Sequence, residues 1–372
     1  LALAAHLVES PETRYAEHPY LRGRVDGFFV DAVPGYEVTD PAHPQSAVDR
    51  TPFHQAYLSA RETPELVAEI RLAKRFLRSI GVYGSEARTQ GLSGYLVELL
   101  VLKTGGFRPL LREAREWSPP VRLRFTERSE PNVPAGTPLV VDDPVDPGRN
   151  VASALSVRNL ALLRLAAQEY LARPSEAFFT LRAAARLEPE EARRRLHERS
   201  THVLGLSLRR PELVDDIVYP QLHKAERAIA EEATRLGFQV VGTAVAAGSA
   251  RALILLELEH GVLSAVRLPR GPPVGLDRVG SFLEKWASPS SPALQGPYVR
   301  VDGSLGVDAR RDPRGAEELL SAALPRLPLG KDLLKSLQPD DRFVAWTALE
   351  AGEELALALG ELLDKRLPWS GR

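Results

Sequence analysis

The chain has 372 residues, of which 44% are hydrophobic, and its formal net charge is −1. This length and apolar content allow two or three packed domains, and the absence of cysteine excludes disulfides and cysteine-based zinc sites or nucleophiles. A net charge near zero does not by itself indicate a nucleic-acid partner, which would require the charges to be separated into patches. No apolar run is long enough to span a membrane, and no signal-peptide pattern is present. We therefore expect a cytoplasmic protein without a membrane partner.

The first part of the chain is predicted to contain strands followed by helices. Paired strands are predicted over 15–36 and a loop over 40–44. The helix over 63–81 has the clearest ends, because Thr63 can cap it, Pro64 suits its first turn and Gly81 can end it. Further predicted elements are a buried strand within 137–144 and helices over 93–105, 109–117 and 156–172.

From about residue 175 onward, helices and strands alternate. The dipeptide Asp302-Gly303 is a turn signal between two short strands. Other predicted elements are strands over 202–210, 238–245 and 251–259, a loop over 269–273, and helices over 188–200, 218–236, 279–286 and 342–366. Strands and helices mixed in this order predict an α+β fold.

Asp31 lies between apolar residues near the end of the second predicted strand. A carboxylate in such a position is costly unless a turn amide, an arginine or a metal ion meets it. From the residues alone a structural aspartate is favoured, because strand ends often use aspartate in turns. Asp26, five residues earlier, would point to the opposite face of a regular strand, so it cannot supply a second carboxylate.

Five stretches have a specificity that hydrophobic periodicity does not explain. In order, they are RYAEHPY (14–20), VDAVPGY (30–36), SAVDRTPFH (46–54), GVYGSE (81–86) with GLSGYLVELL (91–100), and DPVDPGRNVA (143–152). Together they resemble the archaeal, class I, CCA-adding enzymes, the tRNA nucleotidyltransferases. The resemblance is dense from about residue 12 to 180 and becomes a general helix–strand match after that.

The resemblance implies a nucleotidyltransferase palm sheet, followed by a helical central domain and an α/β body and tail. The corresponding domains are 1–60, the C-terminal part of the catalytic domain; 61–174, a helical nucleotide-binding domain; and 175–372, a tRNA-binding body and tail. Asp31 matches the third catalytic carboxylate of the family, which implies a role in catalysis and in binding Mg²⁺. The family's Gly-Ser and D-x-D elements lie upstream of the matching region, where this chain has only residues 1–12. Because methionine is absent and the first residue is Leu1, we expect the numbering to start inside a longer protein, and we expect this chain alone to be catalytically incomplete.

The resemblance also assigns the nucleotide-binding residues. It places His54 beside the triphosphate or sugar, Lys74 at the phosphates, Tyr83 at the phosphates or base, and Arg149 facing the incoming base. The full set is Thr51, His54, Lys74, Tyr83 and Arg149. Taken singly, each has an ordinary structural explanation, such as a solvated helix-border lysine or a loop aromatic. His18 is a weaker candidate, and Glu98 is interpreted as a structural carboxylate.

Arginine clusters are candidates for gripping the phosphates of a tRNA acceptor stem. They comprise Arg193, Arg194, Arg195, Arg267, Arg270, Arg310 and Arg311, with Arg209 and Arg210 in support. For any single arginine a solvated surface position is the simpler interpretation.

The predicted function is untemplated addition of CCA to the 3′ end of tRNA, using CTP and ATP. A non-catalytic RNA- or nucleotide-binding protein that has lost the D-x-D pair, and a poly(A)-adding nucleotidyltransferase, are the alternatives. The sequence leaves a homodimer open.

Overall fold

The computed structural model describes residues 4–15, 19–127, 131–182 and 185–370, and the predicted α+β class is confirmed. Contacts divide the chain into two compact units. One comprises Leu1–Ala183 with Leu213–Pro220 and Arg366–Arg372, and the other comprises Ala184–Glu212 with Gln221–Lys365. None of the described helices is long and apolar enough to cross a membrane. The division into three functional domains stays a prediction.

The first unit begins with a small antiparallel sheet of order β1-β2-β3. Its strands are β1 (Glu9–Tyr15), β2 (Pro19–Val25) and β3 (Phe28–Ala32). Paired strands were expected here, but β3 ends four residues before Tyr36, and β1 is an addition. Asp26 and Gly27 have φ of 49° and 79° and form the turn between β2 and β3. The expectation that Asp26 lies on a strand face is therefore wrong, because Asp26 is a turn residue.

The described part of the first unit also contains five complete α-helices and a two-stranded parallel sheet. They are α1 (Thr51–Ser59), α2 (Pro64–Ser79), α3 (Gly94–Thr104), α4 (Phe107–Ala114), β4 (Val121–Leu123), β5 (Leu139–Val141) and α5 (Val157–Ala172). The predicted cap of α2 is confirmed, since the Thr63 hydroxyl accepts a hydrogen bond from the Leu66 amide. The Ser93 hydroxyl caps α3 in the same way, by accepting from the Leu96 amide. The sequence analysis missed α1 and placed α4 two residues too late.

Local packing explains why these helices hold their positions. Gly105 ends α3 at φ 81°, a left-handed conformation that favours glycine. Phe76 of α2 and Phe107 of α4 are fully or almost fully buried, and their ring centroids lie 5.2 Å apart. Burial of these two rings fixes α2 against α4.

The second unit contains two further sheets with their helices. In chain order the remaining elements are α6 (Pro189–Arg199), β6 (His202–Arg209), α7 (Asp215–Leu236), β7 (Val240–Ala247), β8 (Arg251–Leu258), β9 (Val266–Arg267), β10 (Arg270–Pro273), α8 (Val279–Ala287), β11 (Ala293–Val299), β12 (Ser304–Arg310), α9 (Ala316–Ala323), α10 (Lys331–Ser336), β13 (Val344–Ala345) and α11 (Glu353–Leu363). Helix α7 runs through both units.

One of the two sheets has the antiparallel order β13-β6-β8-β7 and packs against α6 and α11. The expected helix over 342–366 is wrong in its first part. Val344 and Ala345 form β13 and pair with Gly205 and Leu204 of β6, so the backbone there is used for the sheet.

The other sheet has the order β10-β12-β11, with β9 also paired to β12. The hairpin at Asp302-Gly303 is confirmed. The expected loop over 269–273 is wrong, because Arg270–Pro273 is strand β10. Its prolines are tolerated because β10 is an edge strand, where a missing N–H costs no ladder bond to a second neighbour.

Candidate functional site

An arginine meets the carboxylate of Asp31. Arg22 on β2 lies directly across from Asp31 on β3, and it donates from Nε to Oδ1 at 2.6 Å and from Nη2 to Oδ2 at 2.7 Å. The hydrogen bonds that Arg22 donates to Asp31 raise the pKa of Arg22, so the guanidinium stays charged. Among the described residues, no three histidines, aspartates or glutamates lie close enough to hold a metal ion. The magnesium role of Asp31 therefore stays a prediction, and the described residues do not by themselves complete a site for this ion.

The segment before α1 is organised by Asp49, a buried carboxylate. It accepts hydrogen bonds from the amides of Tyr36, Gln45 and Ser46 and from the Ser46 hydroxyl, at 2.6–2.9 Å. Burial opposes ionisation, but these hydrogen bonds outweigh it and hold the pKa of Asp49 below its usual value. This carboxylate fixes the chain just before α1, which carries Thr51 and His54.

A second buried carboxylate, Asp143, connects two of the predicted nucleotide-binding residues. Its Oδ2 accepts from His54 Nε2 at 2.9 Å and from Arg149 Nη1 at 2.8 Å. Its Oδ1 accepts from the Tyr95 hydroxyl and from the Val145 amide, both at 3.1 Å. The Asp143 side chain is fully buried, whereas 38% of the Arg149 side chain stays exposed. One end of the guanidinium is thus held while the rest remains accessible.

The environment of Asp143 favours its charged form. Burial would raise its pKa, but hydrogen bonds from His54, the Val145 amide and Arg149 outweigh burial and lower the pKa. Burial, together with the adjacent Asp143 charge and the hydrogen bond to it, raises the pKa of Tyr95, so its hydroxyl stays a donor. The rings of His54 and Tyr95 stack with centroids 3.8 Å apart. Asp143 is therefore an ionised acceptor at neutral pH, and it accepts from a neutral Tyr95 hydroxyl.

Lys74 and Tyr83 meet beside the first turn of α3. The ammonium of Lys74 on α2 donates to Glu98 on α3, so Glu98 holds this lysine. A methyl group added at Gly94 would lie 3.1 Å from the Tyr83 hydroxyl and 3.8 Å from Lys74 Nζ. Because Gly94 has no side chain, these two groups can approach the N-terminus of α3 closely.

A glycine-rich loop, closed by a parallel bridge between Tyr83 and Leu92, positions Tyr83. The Gly91 amide donates to the Gly84 carbonyl and the Leu92 amide to the Val82 carbonyl, each at 2.8 Å. A Cβ at Gly91 would come within 2.2 Å of the Val82 carbonyl oxygen, so only glycine fits there. The glycines of the GVYGSE and GLSGY stretches thus have a structural reason.

The structure brings four of the predicted residues together at the start of α3. These four are His54, Lys74, Tyr83 and Arg149. Gly94, the first residue of α3, faces Lys74 and Tyr83. The next residue, Tyr95, stacks on His54 and donates to Asp143, which also accepts from Arg149. Thr51 lies about one turn before His54 on α1. His18 lies outside the described residues. The sequence analysis missed Asp143 and Tyr95, although both lie inside stretches that it singled out.

The arginines predicted for RNA contact lie in two parts of the second unit. Arg193, Arg194 and Arg195 are on α6, where they form ion pairs with Glu190 or Glu191 of the same helix. The other four lie on or just after strands of the β10-β12-β11 sheet and its partner β9: Arg267, Arg270, Arg310 and Arg311. Arg270 pairs with Asp302 at 3.1 Å. Neighbouring acids therefore partly neutralise the three arginines of α6 and Arg270, which weakens the field that these side chains could present to phosphates.

Comparison with protein families identifies the class of the chain. Residues 68–180 match the model of the tRNA nucleotidyltransferase second domain, and residues 199–344 match the model of the CCA-adding enzyme C-terminal domain. A mixed α and β fold with these two domains defines a tRNA nucleotidyltransferase.

Individual relatives extend the match to most of the chain. The CCA-adding enzyme of Halorubrum lacusprofundi is 40% identical over 371 residues, which cover 97% of this chain and 79% of that protein. The CCA-adding enzyme of Halobacterium salinarum is 39% identical over 88% of this chain and 72% of its own length. That of Thermoplasma volcanium is 34% identical over 90% of this chain and 73% of its own length. The chain belongs to the family of CCA-adding enzymes, and the resemblance inferred from its motifs is confirmed.

Proposed function

We propose that this protein adds CCA to the 3′ end of tRNA, taking CTP and ATP as substrates without a nucleic-acid template. The reaction is nucleotidyl transfer, in which the tRNA 3′ hydroxyl attacks the α-phosphate and pyrophosphate leaves. The observation that carries the proposal is the gathering of His54, Lys74, Tyr83 and Arg149 around the first turn of α3. Family membership supports the same reaction and favours it over a poly(A)-adding or a non-catalytic protein.

The triphosphate would bind where Lys74, Tyr83 and the N-terminus of α3 converge. A helix N-terminus offers unpaired amides and a partial positive charge, which favour a phosphate group. The Lys74 ammonium and the Tyr83 hydroxyl add donors at the same place. Glu98 keeps Lys74 there, so the lysine is ordered before the nucleotide arrives. These residues bind and orient the substrate for attack at its α-phosphate.

The base would face Arg149. A guanidinium fork can donate to acceptors on cytosine and on adenine, which suits an enzyme that uses both bases. Because Asp143 holds only part of the fork and 38% of the side chain is exposed, donors remain for a base. Thr51 and His54 on α1 are proposed to contact the sugar or the triphosphate.

Asp31 is proposed as one carboxylate of a Mg²⁺ site. Mg²⁺ requires several oxygen ligands, and the described residues offer Asp31 with Arg22 bound to it rather than a ligand set. A metal role for Asp31 therefore requires other ligands to join it, on lone pairs that the two hydrogen bonds from Arg22 do not use. The D31N variant described in the Discussion tests this role.

The tRNA acceptor end would be held by arginines of the second unit, through phosphate contacts that depend on salt. The two groups, on α6 and on the β10-β12-β11 sheet with β9, are candidates for separate parts of the RNA. A cytoplasmic location and self-association into a homodimer stay predictions, and sedimentation of the purified protein at several concentrations tests the second.

The test is label incorporation by the protein, expressed as its gene encodes it, on tRNA that lacks its CCA end. With CTP, ATP and magnesium, we expect two cytidines and one adenosine and then a stop. A long adenosine tail would identify a poly(A)-adding enzyme, and tRNA binding without incorporation would identify a non-catalytic binder.

A further inference from the structure

Asp143 lies between two of the predicted nucleotide-binding residues, His54 and Arg149, but it cannot contact a substrate itself. Its side chain has no exposed surface, and hydrogen bonds from three side chains and one amide occupy both of its oxygens. Two of the donors, His54 and Arg149, are the residues proposed to contact the nucleotide. They come from elements 95 residues apart in sequence, and Asp143 joins them.

The loop around Asp143 is itself immobilised. The Asp143 amide donates to the Arg149 carbonyl at 3.1 Å, and the Arg149 amide donates to the Asp146 carbonyl at 2.9 Å. Arg50, just before α1, donates from Nε to Asp146 Oδ2 at 2.9 Å. Two ion pairs or hydrogen bonds, Arg50 with Asp146 and His54 with Asp143, therefore fasten α1 to this loop.

This arrangement determines the freedom of Arg149. An arginine side chain that is 38% exposed would ordinarily sample several rotamers and lose that freedom on binding. A charge-assisted hydrogen bond from Nη1 to a carboxylate that cannot move selects one orientation before the nucleotide arrives. Pre-ordering of this kind increases affinity by reducing the cost of binding.

We propose that Asp143 is a positioning residue, which fixes Arg149 and His54 for the incoming CTP or ATP and acts on the substrate only through them. The proposal deepens the proposed function and rests on it. It assigns to a buried carboxylate a role in substrate affinity that is separate from its contribution to folding.

The neighbouring residue Asp142 is a matched control. It is also buried, and it accepts hydrogen bonds from the amides of Phe125 and Thr126 and from the Thr126 hydroxyl, at 2.6–2.7 Å. These partners lie on the segment that follows β4, and none is a predicted nucleotide contact. Asp142→Asn should therefore destabilise the same loop without acting through Arg149.

The experiment is a double-mutant cycle on the protein as its gene encodes it. The variants are D143N, R149A and the double variant, with D142N alone and with R149A as the control cycle. For each variant we would measure the free energy of unfolding in urea, the Kd for CTP by calorimetry without tRNA, and kcat and KM for CTP on tRNA lacking its CCA end.

We expect D143N to raise the Kd and KM for CTP about 10- to 100-fold, the range for loss of a hydrogen bond to a charged group. In the R149A background D143N should raise them by less than about threefold, because its main route of action is already removed. By contrast, the effects of D142N and R149A on the Kd and KM for CTP should multiply in the variant that carries both. If D143N fails to fold, Tyr95→Phe, which removes one donor to Asp143 and keeps the ring, should give a smaller rise in Kd that also depends on Arg149.

The results that would reject the role of Asp143 differ from those that would reject the proposed function. Multiplication of the D143N and R149A effects, or equal coupling in the D142N cycle, would show that Asp143 is only structural. A wild-type protein that binds CTP but adds no nucleotide would reject the proposed function, while the Kd cycle would still decide the role of Asp143. A wild-type protein that does not bind CTP would reject both.

Discussion

Substitution of Gly94 by alanine separates the stability of α3 from the binding of the triphosphate. Gly94 is the first residue of α3, and its φ lies outside the left-handed region. Alanine is the better helix former, by up to about 1 kcal/mol in a helix interior and less in the first turn. On folding alone, G94A should leave the free energy of unfolding unchanged or raise it by about 0.5 kcal/mol.

The same methyl group would enter the proposed phosphate site. It would lie 3.1 Å from the Tyr83 hydroxyl, closer than ordinary contact, so the hydroxyl must move by a few tenths of an ångström. Tyr83 cannot move freely, because its ring lies 4.7 Å from the Arg78 guanidinium and its backbone bridges to Leu92. If the shift weakens a phosphate contact by a third to a half of its value, the KM for CTP and ATP rises about three- to tenfold.

Gly105, at the other end of α3, is the matched control. A methyl group there meets nothing within 4 Å, but φ is 81°, so G105A should cost about 1 kcal/mol of stability. Urea unfolding and steady-state kinetics with CTP measure both effects. We expect G94A to raise the KM for CTP without a loss of stability, and G105A to lose stability without a change in this KM. An unchanged KM in G94A, or a raised KM in both variants, would refute this expectation.

Three further predictions follow from the same contacts. In the protein as its gene encodes it, D31N should abolish most nucleotidyl transfer while costing no more than about 1 kcal/mol in urea unfolding, since the pair with Arg22 is partly exposed; near-normal turnover would make Asp31 structural. R149A should raise the KM for CTP and ATP more than the Kd for tRNA, whereas R115A, which removes a surface pair, should change neither; a loss confined to tRNA affinity would assign Arg149 to the RNA. The pKa of Asp143 is lowered, so the stability it contributes is present above the unfolded-chain pKa of about 3.9 and is lost as pH falls through the lower folded pKa. The free energy of unfolding of the wild type, measured in urea, should therefore fall as the pH is lowered through that range. D143N should show a smaller change of this free energy with pH. Equal pH dependences in the two proteins would contradict the lowered pKa of Asp143.

Local signals predicted much of the first unit. Thr63, Ser93 and Gly105 lie at helix ends and act through contacts within a few residues, so these helix ends can be predicted from the sequence. The pairing of Arg22 with Asp31 was also within reach. A two-residue turn at Asp26-Gly27 sets the register of the hairpin, and counting back from it places Arg22 opposite Asp31.

Tertiary contacts account for what the sequence could not predict. Asp143 and His54 are 89 residues apart, and only the tertiary fold, which places α1 against the loop after β5, brings their side chains to 2.9 Å. The prolines of 269–273 indicate a loop, yet pairing of Arg270 with Gly306 makes the segment an edge strand. Likewise, the residues before α11 have a helical sequence pattern, but Val344 and Ala345 form a strand because they pair with β6.

Amide hydrogen exchange with and without CTP tests most directly whether the nucleotide binds at the start of α3. Our expectation is that saturating CTP slows exchange in peptides covering 92–98 and 143–150, and that K74Q removes this protection while K103Q, which changes a lysine in the last turn of α3, does not. Protection confined to the second unit, or protection at α3 that survives K74Q unchanged, would contradict it.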